Sequence, residues 1–246
     1  GSAHWPIVEG MPANQFHNGG RVEFGPANYL WVTTGDAGEK PLAQDTSSLA
    51  GKVLRLNPDG SAPEAHPDLG SNADPRVYTY GHRNPQGISF LPDATPVVTE
   101  HGPSNGDEVN VLRAGGNYGW NVREGFHPFG RAEAPTETPD GDPLLDPVLE
   151  YPHGGGAVSG VSVIGGYLYR GGAVADLGGT YVFGDYRPGG DLFLAEPRES
   201  ARWPTRAVPT AGLGGGLLSF GEGPDGELYV CTVGDGGGSV RQIIEG

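Results

Sequence analysis

The chain has 246 residues, among them 45 Gly and 23 Pro; 36% are hydrophobic, and 15 Lys and Arg against 30 Asp and Glu leave a net charge of −15. That charge repels nucleic acid and anionic lipid, and no run of about 18 apolar residues exists to span a bilayer. The lone Cys231 excludes a disulfide frame and a thiolate zinc cluster.

Gly and Pro at this density suit a low-complexity chain, but here they alternate with apolar runs such as Tyr29-Leu30-Trp31-Val32. No apolar stripe of helical period persists, so the pattern predicts a turn-dense all-β globule. In chain order the predicted strands are Arg21–Phe24, Tyr29–Thr34, Lys52–Leu56, Val77–Tyr80, Ile88–Phe90, Val97–Glu100 and Glu108–Leu112. They continue with Val161–Ile164, Tyr167–Tyr169, Thr180–Phe183, Asp191–Leu194, Leu217–Phe220, Glu227–Thr232 and Val240–Ile244. Asn57–Pro75 and Phe126–Pro147, rich in Pro, Asp and Gly, read as loops. The opening Gly-Ser, without a Met or an apolar leader, resembles a tag-cleavage scar, so the N-terminus does not reveal a compartment.

A weak repeat organises these strands. Val22–Gly25, Pro26, then Tyr29–Val32 ends in Gly35-Asp36; Leu218–Gly221, Pro224-Asp225-Gly226, then Glu227–Val230 ends in Gly234-Asp235. Ile88–Phe90, Pro92-Asp93 and Val97-Val98 form a third copy, and Val161–Tyr169 a degenerate fourth. Pro92 falls 66 residues after Pro26, and Pro224 falls 132 after Pro92. A strand–turn–strand unit at that spacing predicts a β-propeller with about four blades, a fold that hides sheet edges by radial repetition. The expected organisation is one partial propeller domain over residues 1–246.

Four clusters carry polar chemistry. His17-Asn18-Gly19-Gly20-Arg21 places an imidazole in open space before a strand, and nineteen residues later Asp36 ends the partner strand. A carboxylate there can fix the imidazole tautomer for general base work; a loop His beside a turn-capping Asp is the other reading of the pair. Arg83-Asn84-Pro85-Gln86 is a compact donor set suited to a planar, carboxylated ligand, or to holding loop backbone. Glu100–Glu108 mixes carboxylates with carbonyls freed by Gly and Pro, the oxygen set of a hard cation such as Ca²⁺, or a solvated acidic turn. Gly115–Trp120 is a tight turn feeding two aromatics, read as packing.

These clusters, in this order, resemble the soluble calcium- and pyrroloquinoline quinone (PQQ)-dependent aldose dehydrogenase family, which includes the propeller of Hedgehog-interacting protein. The match runs from His17 to Trp120, with Ala43–Asp45 and Gly51–Asn57 fitting as well. The resemblance implies a six-bladed propeller that oxidises aldoses at the anomeric carbon in a periplasmic or secreted setting. It implies that His17 is the base and Asp36 its orienter, and that Arg83, Asn84 and Gln86 contact PQQ. It implies calcium on the carbonyls of Gly102 and Pro103, and a second calcium on Glu108 and the Tyr118 carbonyl, with Asp107 close by.

Two features depart from the pattern. The family's cofactor-clamping Lys corresponds to the loop of Arg187, and its paired Arg positions correspond to Gly216 and Leu218, beside the glycine run from Gly214. Only sixteen residues precede His17, so the ring is a fragment, is closed by another chain, or closes with fewer blades. The rival to an enzyme is a calcium-stabilised propeller that binds a glycan or protein. A metal-dependent lactonase is a third reading, and it needs several side-chain ligands at one centre.

Overall fold

The computed structural model describes residues 4–187, 191–199, 202–208, 213, 215–234 and 236–245. The chain forms two compact units, each assembled from two separate stretches. Unit 1 takes Gly1–Pro85 and Leu112–Asp146; unit 2 takes Gln86–Val111 and Pro147–Gly246.

In unit 1, β1 (Val22–Phe24), β2 (Leu30–Thr34), β3 (Lys52–Leu56) and β4 (Val77–Tyr80) form an antiparallel sheet in chain order. The two inner strands are buried almost throughout because both of their faces are covered, whereas β1 leaves Val22 and Phe24 exposed. Leu30, Leu49, Leu54, Leu56, Val77 and Tyr80 make the core. The β1–β2 turn is the predicted Pro turn, with Ala27 at φ 58° and Asn28 at φ 61° in the left-handed region.

The second unit starts with β5 (Pro85–Phe90), β6 (Pro96–Glu100) and β7 (Gly106–Val111). The chain then returns to unit 1, where β8 (Arg123–Glu124) and β9 (His127–Pro128) make a short hairpin. Back in unit 2, β10 (Leu149–Pro152) pairs with β7, giving a sheet of order β10-β7-β6-β5. A third sheet follows in chain order: β11 (Val163–Leu168), β12 (Tyr181–Asp185), β13 (Leu192–Ala195) and β14 (Thr205–Val208). The last has β15 (Gly216–Glu222), β16 (Leu228–Gly234) and β17 (Gly237–Gln242).

Within unit 2 the third sheet is packed from both sides. Val97, Val109, Leu149 and Tyr151 of the preceding sheet meet Val163, Tyr181, Phe183 and Phe193. Ile164, Val182, Leu192 and Leu194 meet Leu217, Phe220, Leu228 and Val230 of the last sheet. Each fully buried side chain of this size stabilises the fold by about 1.5–3 kcal/mol.

The all-β class expected from the sequence is present, and the Pro-Asp turns at Pro92 and Pro224 join β5 to β6 and β15 to β16. The degenerate fourth copy is corrected: Val161–Ile164 and Tyr167–Tyr169 are not a hairpin but one strand, β11, with a register shift between Ile164 and Tyr167. Its Gly165 serves close packing rather than a turn, since a Cβ there would lie 2.5 Å from the Gly87 Cα. Strands β8, β9, β10 and β14 lie outside the predicted set, and β9 falls within Phe126–Pro147, which was read as a loop. Asp235 and Gly214 fall outside the described residues. Among the described residues no helix is long and apolar enough to cross a membrane.

Candidate active site

The His17 loop of unit 1 lies on the end of β2. Gly20 N donates to Thr33 O at 2.9 Å and Ala37 N to His17 O at 3.0 Å. Glycine is required where the backbones touch: a Cβ on Gly19 would sit 2.7 Å from Thr33 O, and one on Gly35 would strike His17 O. His17 itself is held at φ 60°, a conformation that side-chain-bearing residues adopt at a cost and that collects at functional sites.

This loop brings His17 Nδ1 within 2.8 Å of Asp36 Oδ1, with the imidazole partly exposed and the carboxylate fully buried. An ionised carboxylate only accepts, so Nδ1 carries the proton and Nε2 keeps its lone pair. Asp36 Oδ1 also accepts from Gly38 N at 2.8 Å, and Oδ2 from Trp120 Nε1 at 2.7 Å. Arg83 and Asn84 join the same cluster. Asp36 N donates to Arg83 O at 2.7 Å, Gly19 N to Asn84 Oδ1 at 3.0 Å, and the Arg83 guanidinium lies 5.6 Å from the Trp120 ring centre.

The other candidates lie in unit 2, apart from Tyr118. Gln86 Oε1 accepts from Gly165 N at 2.8 Å, which leaves its amide N–H groups as donors. Asp107 is buried beneath the Gly102–Pro103 loop. Its Oδ1 accepts from Gly102 N at 3.0 Å and from His153 Nε2 at 2.9 Å. Its Oδ2 accepts from Val163 N at 2.5 Å. With its oxygens so occupied, Asp107 shapes the loop. Glu108 Oε1 accepts from Asn110 at 2.8 Å, while Tyr118 belongs to unit 1, where its hydroxyl accepts from Arg113 N. Arg187 is ion-paired with Asp191. Gly216 backs onto Tyr186, a Cβ there lying 2.8 Å from Tyr186 O, and Leu218 is exposed. Among the described residues no group of three or more His, Cys, Asp or Glu side chains is arranged to hold a metal ion.

Sequence reasoning missed Trp120, Tyr151, His153 and Asp185 as members of polar networks. Asp185 was within reach: Gly184-Asp185 ends β12 as Gly35-Asp36 follows the end of β2.

The model of the glucose/sorbosone dehydrogenase family matches residues 5–241. Quinoprotein glucose dehydrogenase B of Acinetobacter calcoaceticus is 37% identical over 133 residues, 46% of this chain and 28% of that protein. The aldose sugar dehydrogenase YliI of Escherichia coli is 41% identical over 106 residues, 42% of this chain and 29% of that one. The PQQ-bound aldose sugar dehydrogenase of Streptomyces coelicolor superposes with a TM-score of 0.73 at 29% identity, covering 95% of this chain and 63% of its own. This chain thus spans less than a third of the length of the two curated relatives over the matched stretches. The stacked antiparallel sheets are those of a β-propeller, the fold of these dehydrogenases. The chain belongs to the glucose/sorbosone dehydrogenase family.

Proposed function

We propose that this chain carries the active site of a PQQ- and calcium-dependent dehydrogenase that oxidises aldose sugars at the anomeric carbon, with His17 as general base. The observation that carries this reading is the 2.8 Å bond from His17 Nδ1 to the buried Asp36, which leaves Nε2 of the partly exposed imidazole with its lone pair.

Taken unit by unit, the chemistry of these residues suits the redox end of such a cofactor. Arg83 and the amides of Asn84 and Gln86 are donors for quinone oxygens, and the Gly102 and Pro103 carbonyls are hard oxygens suited to calcium. They fit its carboxylate end less well, because Leu218 and Gly216 bring no charge and Arg187 is engaged by Asp191. When bound, the cofactor supplies a hydride acceptor and the calcium ion a Lewis acid.

The chain's own groups supply the proton chemistry. Nε2 of His17 takes the proton of the anomeric hydroxyl. Asp36, fully buried and hydrogen-bonded, stabilises the imidazolium that forms. Positioned proton transfer of this kind contributes about 10²–10⁴ in rate. The Arg83 cation supports negative charge developing beside it. The same reading proposes a periplasmic or secreted protein with a sugar substrate.

The test is to load the purified chain with PQQ and Ca²⁺ and to follow reduction of an artificial acceptor by glucose. His17→Ala is expected to lower kcat by about 10²–10⁴. A wild-type chain that turns over no aldose and gives no PQQ spectrum would overturn the reading and favour a binding propeller.

A further inference from the structure

We infer that Trp120 is the positioning residue of this site, its indole N–H orienting Asp36 and its ring seating Arg83; the inference rests on the reading of His17 as a base. The geometry carries it. Asp36 is wholly buried and its Oδ1 serves both His17 and Gly38, so among the described residues Oδ2 depends on one donor, Trp120 Nε1 at 2.7 Å. A buried carboxylate oxygen without a donor is costly. Deprived of the indole, the carboxylate would turn toward other donors and take Oδ1 away from the imidazole. The tautomer that makes Nε2 a base is therefore set from the far side of Asp36.

The ring is itself held for this task. Trp120 is 3% exposed, and Phe129 packs on it with ring centres 4.4 Å apart. Trp120 N donates to Gly81 O and Tyr118 N to Tyr80 O, both at 2.9 Å, so the turn before Trp120 is stitched to the segment that follows β4. Asn117 and Gln44 lock that turn through paired amide bonds of 2.8 and 3.0 Å. A Cβ on Gly81 would lie 2.8 Å from Gly119 N, so glycine permits the approach. Arg83 lies two residues past Gly81 and rests its guanidinium over the same ring. One side chain thus fixes the base through its edge and the cation through its face.

The experiment uses the full chain with Trp120→Phe, which keeps a ring and deletes the N–H. A second variant carries 3-benzothienylalanine at position 120, an indole isostere without the N–H. Nitrogen-15 spectra of the imidazoles in unloaded protein read the His17 Nδ1–H directly, and steady-state kinetics on the loaded protein separate kcat from KM. The expected result is a slowly exchanging Nδ1–H in the wild type that is lost in both variants. With it, kcat falls about ten- to a hundredfold while KM for glucose stays within about twofold.

Persistence of the wild-type Nδ1–H signal in the isostere variant would overturn the inference, whatever happens to kcat. Should Trp120→Phe fail to fold, the isostere variant decides alone. Absence of turnover in the wild-type chain would count against the proposed reaction, while the imidazole spectrum would still judge Trp120.

Discussion

The hydroxyl of Tyr151 stands between two buried carboxylates, 2.9 Å from Asp185 and 3.3 Å from Asp107. A phenol has one proton, and the shorter bond marks Asp185 as its acceptor. Burial and the two negative neighbours push the phenol far above its ordinary pKa, so it stays neutral. Asp185 also accepts from Val161 N, Ser162 N and Arg187 N, each at 3.0 Å. Tyr151→Phe should therefore fold but lose about 1.5–3 kcal/mol, read as a lower urea midpoint with an unchanged m-value.

Asp107 should govern calcium without touching it. Its bond to Gly102 N orients the two carbonyls proposed as ligands. Asp107→Asn puts an amide N–H₂ where N–H donors already converge and should weaken calcium binding by about 10–100-fold. Isothermal titration of the PQQ-free protein measures this. Equal calcium affinity in wild type and variant would show that the carbonyls need no such support.

Lys52 gives the pH dependence a defined sign. Its ammonium is buried, with the Leu42, Ala43 and Ala50 carbonyls at 2.7, 3.1 and 2.5 Å. Burial pushes its pKa down to about 7, with Asp45 opposing. The folded state thus binds fewer protons than the unfolded chain between that value and the ordinary lysine range, so stability rises with pH across this window. Urea midpoints taken from about pH 7 to 10 should climb in the wild type, and the Lys52 share of that slope should vanish in Lys52→Met.

Leu218→Arg should tighten the cofactor. The side chain is 43% exposed, so a guanidinium is accommodated, whereas Gly216 has no room beside Tyr186 O. One added charge-assisted pair is worth roughly a factor of ten or more in PQQ affinity, which fluorescence quenching on PQQ titration would register.

The fold was legible where local chemistry and tertiary use coincide. Lys52–Leu56 and Val77–Tyr80 were read to the residue because apolar runs and turn residues bound them on both sides. Thr205–Val208 was missed because its one arginine and half-exposed side chains carry neither an apolar run nor clean alternation. Gly165-Gly166 misled because glycine reads as a break, while here it allows two backbones to touch. The His17–Asp36 pair was visible, since both residues sit at the same end of one hairpin. Trp120 was not, because its bond to Asp36 spans 84 residues and nothing near it in sequence hints at a carboxylate.

Neither unit is a continuous piece of chain, since Leu112–Asp146 is an excursion that completes the first unit from within the second. No single cut can release one intact half, and exchanging either half with a relative by simple crossover would strand the excursion. A deletion between residues 112 and 146 would take the indole away from the imidazole it steadies. Inheritance of the base and of its support is bound to the whole stretch from His17 to Trp120 travelling together.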